Sequence, residues 1–234
     1  ISREKGLNNW LSFKDIEELS QELLKDILSV AQKSIQLNGC FKIVLTGGVS
    51  IMHLYKLLSN AKSNWEKWYI YIGDERCLPL GDKDRNDYMI NKIWLNNGLI
   101  PKENVYFMHA HLSVDNGTSH YKRVLRDVED FDVVLLSMGD DGHVASLFPG
   151  HFYNDSQDVV IERNSPKYPS NRISMSYKRL NKSKNVFKII NGSLKYNAVK
   201  LWIDGVDLPI SQVNGQIEKV YICKNSIKNY FQLV

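Results

Sequence analysis

The sequence predicts an α/β fold built on a mostly parallel sheet, and three observations carry that prediction. Short, almost wholly apolar runs recur at Phe41–Thr46, Trp68–Ile72 and Phe131–Met138. Segments with the period of an amphipathic helix stand between or before them. The polar residues best suited to chemistry follow the apolar runs directly, where an open α/β sheet binds ligands. Strands that are nearly continuously apolar, rather than alternating, are buried on both faces, which requires helices on either side of a parallel sheet.

Taken in order, Phe13, Ile16, Leu19, Leu23, Ile27, Val30 and Ala31 fall in steps of three and four, predicting an amphipathic helix over residues 13–37. Phe41–Thr46 reads as a buried strand ended by Gly47-Gly48, and Ser50–Ser59 as a second helix carrying His53, Leu54 and Leu57. Trp68–Ile72 and Phe131–Met138 are the next strands. After Pro149 the character changes: Val159–Ile161, Arg172–Ser176 and Val186–Ile190 are short strand candidates with Ser-Pro and Tyr-Pro breaks between them, and Lys219–Cys223 is the last strand. With no internal repeat and no low-complexity tract, residues 1–234 read as a single domain.

Composition narrows the function classes. A 43% hydrophobic and 24% charged chain has ordinary globular proportions, and no apolar run approaches the roughly 18 residues of a membrane span. Ile1-Ser2-Arg3-Glu4-Lys5 carries neither a signal-peptide pattern nor an initiator Met, which predicts a cut or processed form, or a piece of something longer. The net charge of +4 is spread among interspersed Lys, Arg, Asp and Glu, unlike the concentrated basic stripe of a nucleic-acid binder. An anionic small molecule suits that balance equally well. Cys40, Cys77 and Cys223 are odd in number and form no CxxC, arguing against a disulfide framework and against zinc, and for reduced thiols in the cytoplasm.

Four strand-end segments are candidates for chemistry. Thr46-Gly47-Gly48-Val49-Ser50 can bring backbone close to a ligand and offer helix N–H groups and the Ser50 hydroxyl to an anion; it reads equally as a plain turn with an N-cap serine. Gly73-Asp74-Glu75-Arg76 is either a structural ion pair or an Arg76 fork aimed at a phosphate, with Asp84-Arg85-Asn86 lining the same cleft. Gly139-Asp140-Asp141-Gly142-His143 displays a histidine at a glycine-bracketed strand end, with Asp141 two residues earlier to hold its tautomer. Such an imidazole can take a proton from water and return it. A lone His–Asp pair is also a structural or metal-ligand motif, but no Cys, second His or further acid stands at ligand spacing within it, so no metal is expected. His151 is read as a surface residue. Asn191-Gly192-Ser193-Leu194-Lys195 places Lys195 either against a phosphate or in solvent.

In order and spacing these segments resemble the 6-phosphogluconolactonase family over nearly the whole chain, through Gly47–Ile51, Asp74–Arg76, Gly139–Gly150, Arg172–Ser174 and Gly192–Lys195. The third is long and specific: Gly139-Asp140-Asp141-Gly142-His143-Val144-Ala145-Ser146-Leu147-Phe148-Pro149-Gly150. The resemblance implies a Rossmann-like three-layer α/β/α fold and cofactor-free hydrolysis of 6-phospho-D-glucono-1,5-lactone to 6-phosphogluconate, in the oxidative branch of the pentose phosphate pathway. It implies that His143 activates water with Asp141 orienting its ring. It also implies that the phosphate meets Arg76, Lys195 and the Gly47, Gly48 and Ser50 loop, with Arg172 contributing. Backbone N–H groups near these loops are the candidate oxyanion donors. In some organisms the family is fused to glucose-6-phosphate dehydrogenase, so fusion to, or action beside, that enzyme is a further expectation.

The chain departs from the family pattern at Val49, which replaces a hydroxyl residue, at Ile51, which replaces a proline, and at Asp87, which follows Asn86 where tyrosine is common. Two other readings stand beside the lactonase. Glucosamine-6-phosphate deaminases share the Asp-Gly-His core but continue it differently from Val144–Phe148 and favour tyrosine where Arg76 stands. A non-catalytic sugar-phosphate-binding module would have no need of both Asp141 and His143.

Overall fold

The computed structural model describes residues 7–227, so the run Ile1–Lys5 lies outside the described residues. In chain order the elements are β1 (Trp10–Phe13), α1 (Ile16–Asn38), β2 (Phe41–Leu45), α2 (Met52–Asn60), β3 (Trp68–Ile72) and β4 (Asp74–Arg76). There follow α3 (Asn86–Ile93), β5 (Val105–Tyr106), α4 (Val114–Leu125), β6 (Phe131–Ser137), β7 (Val159–Glu162) and β8 (Arg172–Met175). The last are α5 (Tyr177–Asn181), β9 (Ser183–Ile190), α6 (Tyr196–Ile203) and β10 (Ile217–Cys223).

Seven strands form one sheet in the order β1-β10-β9-β6-β2-β3-β5, with every neighbouring pair parallel. Helices flank it in a three-layer α/β/α arrangement. The central strand β6 is buried at six consecutive positions, Asp132 among them, as a nearly continuous apolar run in the middle of a parallel sheet requires. Helix α1 lays Leu19, Leu23, Ile27 and Ala31, all fully buried, against β2, β6 and β10. It starts later than the periodicity predicts. Asp15 is its N-cap and accepts the Glu18 N–H at 2.9 Å, while Phe13 belongs to β1, paired with Cys223 at the sheet edge. A four-residue edge strand with an apolar end merges by eye into the stripe of the helix that follows it.

The order of the strands positions the site. From β2 the chain moves outward to β3 and β5, then returns to place β6 on the other side of β2. The reversal between β2 and β6 is the topological switch point, and a crevice opens there outside the strands' carboxyl ends. A second, antiparallel sheet, β4-β8-β7, borders that crevice. The short strand candidates after Pro149 therefore divide: β7 and β8 join this small sheet, whereas β9 and β10 extend the main one.

Candidate active site

The two loops at the switch point are tied to each other and to the helices below. The Tyr55 hydroxyl of α2 donates to the Thr46 carbonyl at 2.6 Å and accepts the Thr46 N–H at 2.9 Å, pinning the end of β2. The Ser137 N–H reaches Thr46 Oγ1 at 3.4 Å across the crevice. Helix α2 begins at Met52, with Ile51 as its N-cap and no side-chain capping bond, so Ser50 is not the cap. That leaves its first-turn N–H groups without a side-chain acceptor at the site's edge.

A cavity of about 560 Å³ opens over these loops. Of the residues singled out in the sequence, Gly47, Gly48, Ser50, Asp74, Arg76, Asn86, His143, Arg172 and Lys195 all line it. Asp141 does not line it, but stands behind His143. Its Oδ1 meets His143 Nδ1 at 2.6 Å and also accepts the His143 backbone N–H at 3.0 Å. Burial pushes the Asp141 carboxyl upward, but its bonds to His143 outweigh this and hold it down at about 2. An ionised carboxylate can only accept, so Nδ1 carries a hydrogen, and in the neutral ring Nε2 then holds the lone pair. A tight turn presents the ring: Gly142 has φ +88°, and the Gly139 N–H bonds the His143 carbonyl at 2.9 Å. Phe148 packs on the imidazole with ring centroids 4.6 Å apart.

The cationic side of the cavity is built by the small sheet. In its antiparallel register Arg76 stands directly opposite Arg172. Like charges so placed repel unless an anion lies between them. Arg172 is 3% exposed, and burial pulls its guanidinium below the usual arginine range, with Asp74 opposing and Arg76 reinforcing that shift. It spends Nε on the Pro169 carbonyl, and Nη2 on those of Lys167 and Tyr168. Arg76 gives Nη1 to the Asp84 carbonyl at 2.6 Å, while its buried Nε has no partner. Lys195 is not simply solvated: its Nζ lies 3.0 Å from Asp140 Oδ1 at the cavity wall.

One polar chain joins the loops. Buried Ser146 donates to Asp74 Oδ2 at 2.6 Å, and Asn86 Nδ2 reaches Asp74 Oδ1 at 3.3 Å and its carbonyl at 3.0 Å. Gly47 makes room for that amide, because a Cβ there would lie 2.1 Å from Asn86 Oδ1. Ala145, in the signature itself, adopts φ +48°, a conformation uncommon for any residue but glycine.

Sequence reasoning missed several wall residues. Ser137, whose buried hydroxyl has no partner, lies 3.9 Å from where a Gly48 Cβ would sit; a polar residue ending an apolar strand was its only signal. Lys167 and Tyr168 come from the β7–β8 loop, which no motif marks. His151 is exposed, as expected, but its ring is not idle. It bonds Glu162 at 2.8 Å, and Glu162 also receives the Tyr153 hydroxyl, which in turn accepts the Phe148 N–H at 2.8 Å. That network braces the loop behind His143.

Comparison with known proteins follows the same outline. The family model described as glucosamine-6-phosphate isomerases/6-phosphogluconolactonase matches residues 14–222. A relative from Arabidopsis thaliana, "Probable 6-phosphogluconolactonase 1", is 33% identical over 225 residues, covering 86% of this chain and 82% of that protein. The human "GDH/6PGL endoplasmic bifunctional protein" is 34% identical over 191 residues, covering 76% of this chain but 24% of that protein. Among solved structures, a 6-phosphogluconolactonase from Thermotoga maritima superposes with a TM-score of 0.85 at 26% identity, covering 92% of this chain and 98% of the other.

Proposed function

The chain belongs to the glucosamine-6-phosphate isomerase/6-phosphogluconolactonase family, and from that membership we propose that it is a 6-phosphogluconolactonase with His143 as its general base. The substrate is 6-phospho-D-glucono-1,5-lactone and the product 6-phosphogluconate. The observation that carries this reading is one cavity that holds both an oriented imidazole and more cationic than acidic side chains. Arg76, Arg172, Lys167 and Lys195 against Asp74 and Asp140 leave an excess of two positive charges, the complement of a phosphate monoester dianion.

His143 Nε2 takes a proton from water as the oxygen attacks the lactone carbonyl carbon. The ring C–O bond then breaks, and the proton returns from His143 to the departing ring oxygen. Asp141 fixes the tautomer and stabilises the imidazolium that forms between the two transfers. The phosphate is held by Arg76, Lys195 and the Gly47, Gly48 and Ser50 loop, with Asn86 and Asp74 shaping the wall. Arg172 acts partly through the loop it anchors. Binding at the phosphate end positions the carbonyl for attack.

A dehydrogenase that oxidises the sugar phosphate supplies the lactone, either beside this chain or fused to it. Support for the fused form is the bifunctional human relative. A cytoplasmic setting is part of the same reading, supported by the three free cysteines.

The test pairs two substrates. Purified protein should accelerate hydrolysis of freshly generated lactone and release no ammonia from glucosamine 6-phosphate. Ammonia release would move the chain to the deaminase branch of its family. Neither reaction would leave a sugar-phosphate-binding module.

A further inference from the structure

We propose that Glu75 is a positioning residue for phosphate recognition: one buried carboxylate holds the backbone of both Arg76 and Asn86, the two groups that β4 and α3 bring to the cavity. Side chains alternate along a strand, so Asp74 and Arg76 face the cavity while Glu75 points away from it, into the space under α3. Glu75 is fully buried. Its Oε1 accepts the N–H groups of Asn86 at 2.7 Å and Arg76 at 2.8 Å, and its Oε2 accepts that of Asp87 at 2.9 Å. Asn86 and Asp87 open α3, whose N-cap, Arg85, offers no side-chain capping bond. A carboxylate from a neighbouring strand thus caps the helix, satisfying N–H groups that would otherwise be orphaned and facing the positive end of its dipole.

Among the described residues no cation stands within ion-pair distance of Glu75. The Arg85 guanidinium pairs with Asp87 at 2.8 Å instead, so the hydrogen bonds to the Glu75 carboxylate come from backbone N–H groups. Burial, reinforced by Asp87, pushes its carboxyl up to about 7 against the pull of those three bonds. A group held in that state is not an inert surface acid. Moving it shifts Arg76, the first phosphate donor, together with Asn86, whose amide abuts Gly47.

Glu75→Gln keeps the size and removes the charge and one acceptor. In the folded variant KM for the lactone should rise about tenfold, equivalent to about 1.4 kcal/mol, while kcat falls by less than about threefold. A purely structural role would lower the amount of folded enzyme and leave KM alone. The affinity for inorganic phosphate, read by calorimetry, should fall by about the same factor as KM rises. This role rests on the phosphorylated-lactone reading, and the phosphate arm separates the two. If wild-type protein leaves the lactone at its spontaneous rate yet binds phosphate in a Glu75-dependent way, only the lactone reading fails. Amide exchange on the wild-type protein needs no variant: the Arg76, Asn86 and Asp87 amides should be protected, and inorganic phosphate should protect them further. Unchanged KM and phosphate affinity in folded Glu75→Gln, a fall in kcat alone, or amides as unprotected as those of the adjacent loop would each overturn the assignment.

Discussion

Gly139 has no room for a side chain: a Cβ there would lie 2.0 Å from His143 Cε1 and 2.1 Å from Nδ1. Gly139→Ala should therefore displace the imidazole from its carboxylate partner. A misplacement of that order costs about 100-fold in kcat, with the fold intact by circular dichroism. Asp141 gives a second prediction. Its folded value of about 2 lies below its ordinary 3.8, so the folded state holds the negative charge longer than the unfolded chain does. The stabilisation is present above about pH 4 and is lost as pH falls toward 2. Asp141→Asn removes it, and acid titration of the variant should show a smaller loss of stability across that window. The His–Asp pair was legible in the sequence because two residues of chain separation suffice to bring the partners together. Ser137 and Lys167 were not, since their place in the wall depends on strands far apart in the chain.

At the scale of elements, the strand Asp74–Arg76 shows what a three-residue element can do. Its outward side chains line the cavity, and its inward one caps α3. Pairing with β8 sets Arg76 against Arg172, so removing one charge has opposite effects with and without anion. Arg76→Met should raise thermal stability in phosphate-free buffer, by about 0.2–1 kcal/mol. The wild type should gain about 2.7 kcal/mol at 100 times its phosphate Kd, and the variant far less at that phosphate concentration. Differential scanning calorimetry reads both. The motif Asp-Glu-Arg was visible in the sequence as either an ion pair or a phosphate contact. Among the described residues its acids form no ion pair with Arg76, which stands opposite Arg172 instead, and register with a segment about 100 residues away cannot be read from local spacing. Helix α4 was missed for a different reason. Its packed face includes Gly117 and Thr118, and a Cβ on Gly117 would meet the His109 carbonyl at 2.7 Å, so close packing replaces the apolar stripe a pattern search seeks.

Across the whole molecule, the parallel sheet was legible because nearly continuous apolar strands have few alternatives, while strand order was not. That order creates the switch point and explains why loops after β2 and β6 share one cavity. The core also carries a costly cation. Lys188 on β9 is fully buried beside Glu218 at 3.5 Å and beneath the Trp202 ring at 5.0 Å. Burial draws its ammonium down to about 8 from 10.5, with Glu218 opposing. Between these values the unfolded chain binds more protons, so stability rises with pH through that window, and below pH 8 the full penalty is present. Lys188→Met should raise the melting temperature at pH 7 and flatten the rise above pH 8. Glu218 keeps 21% of its side chain in solvent and is not stranded. An unchanged or lower melting temperature would show that the ion pair repays its burial.

The most direct test of the account is the rate at which 6-phosphogluconate appears from freshly generated lactone, for wild type and for His143→Ala, above the spontaneous background. The predicted result is clear acceleration by the wild type and a loss of about 10²–10⁴-fold in a folded variant, the range expected for removing a general base. A folded variant that retains the wild-type rate, or a wild type at background, would contradict it.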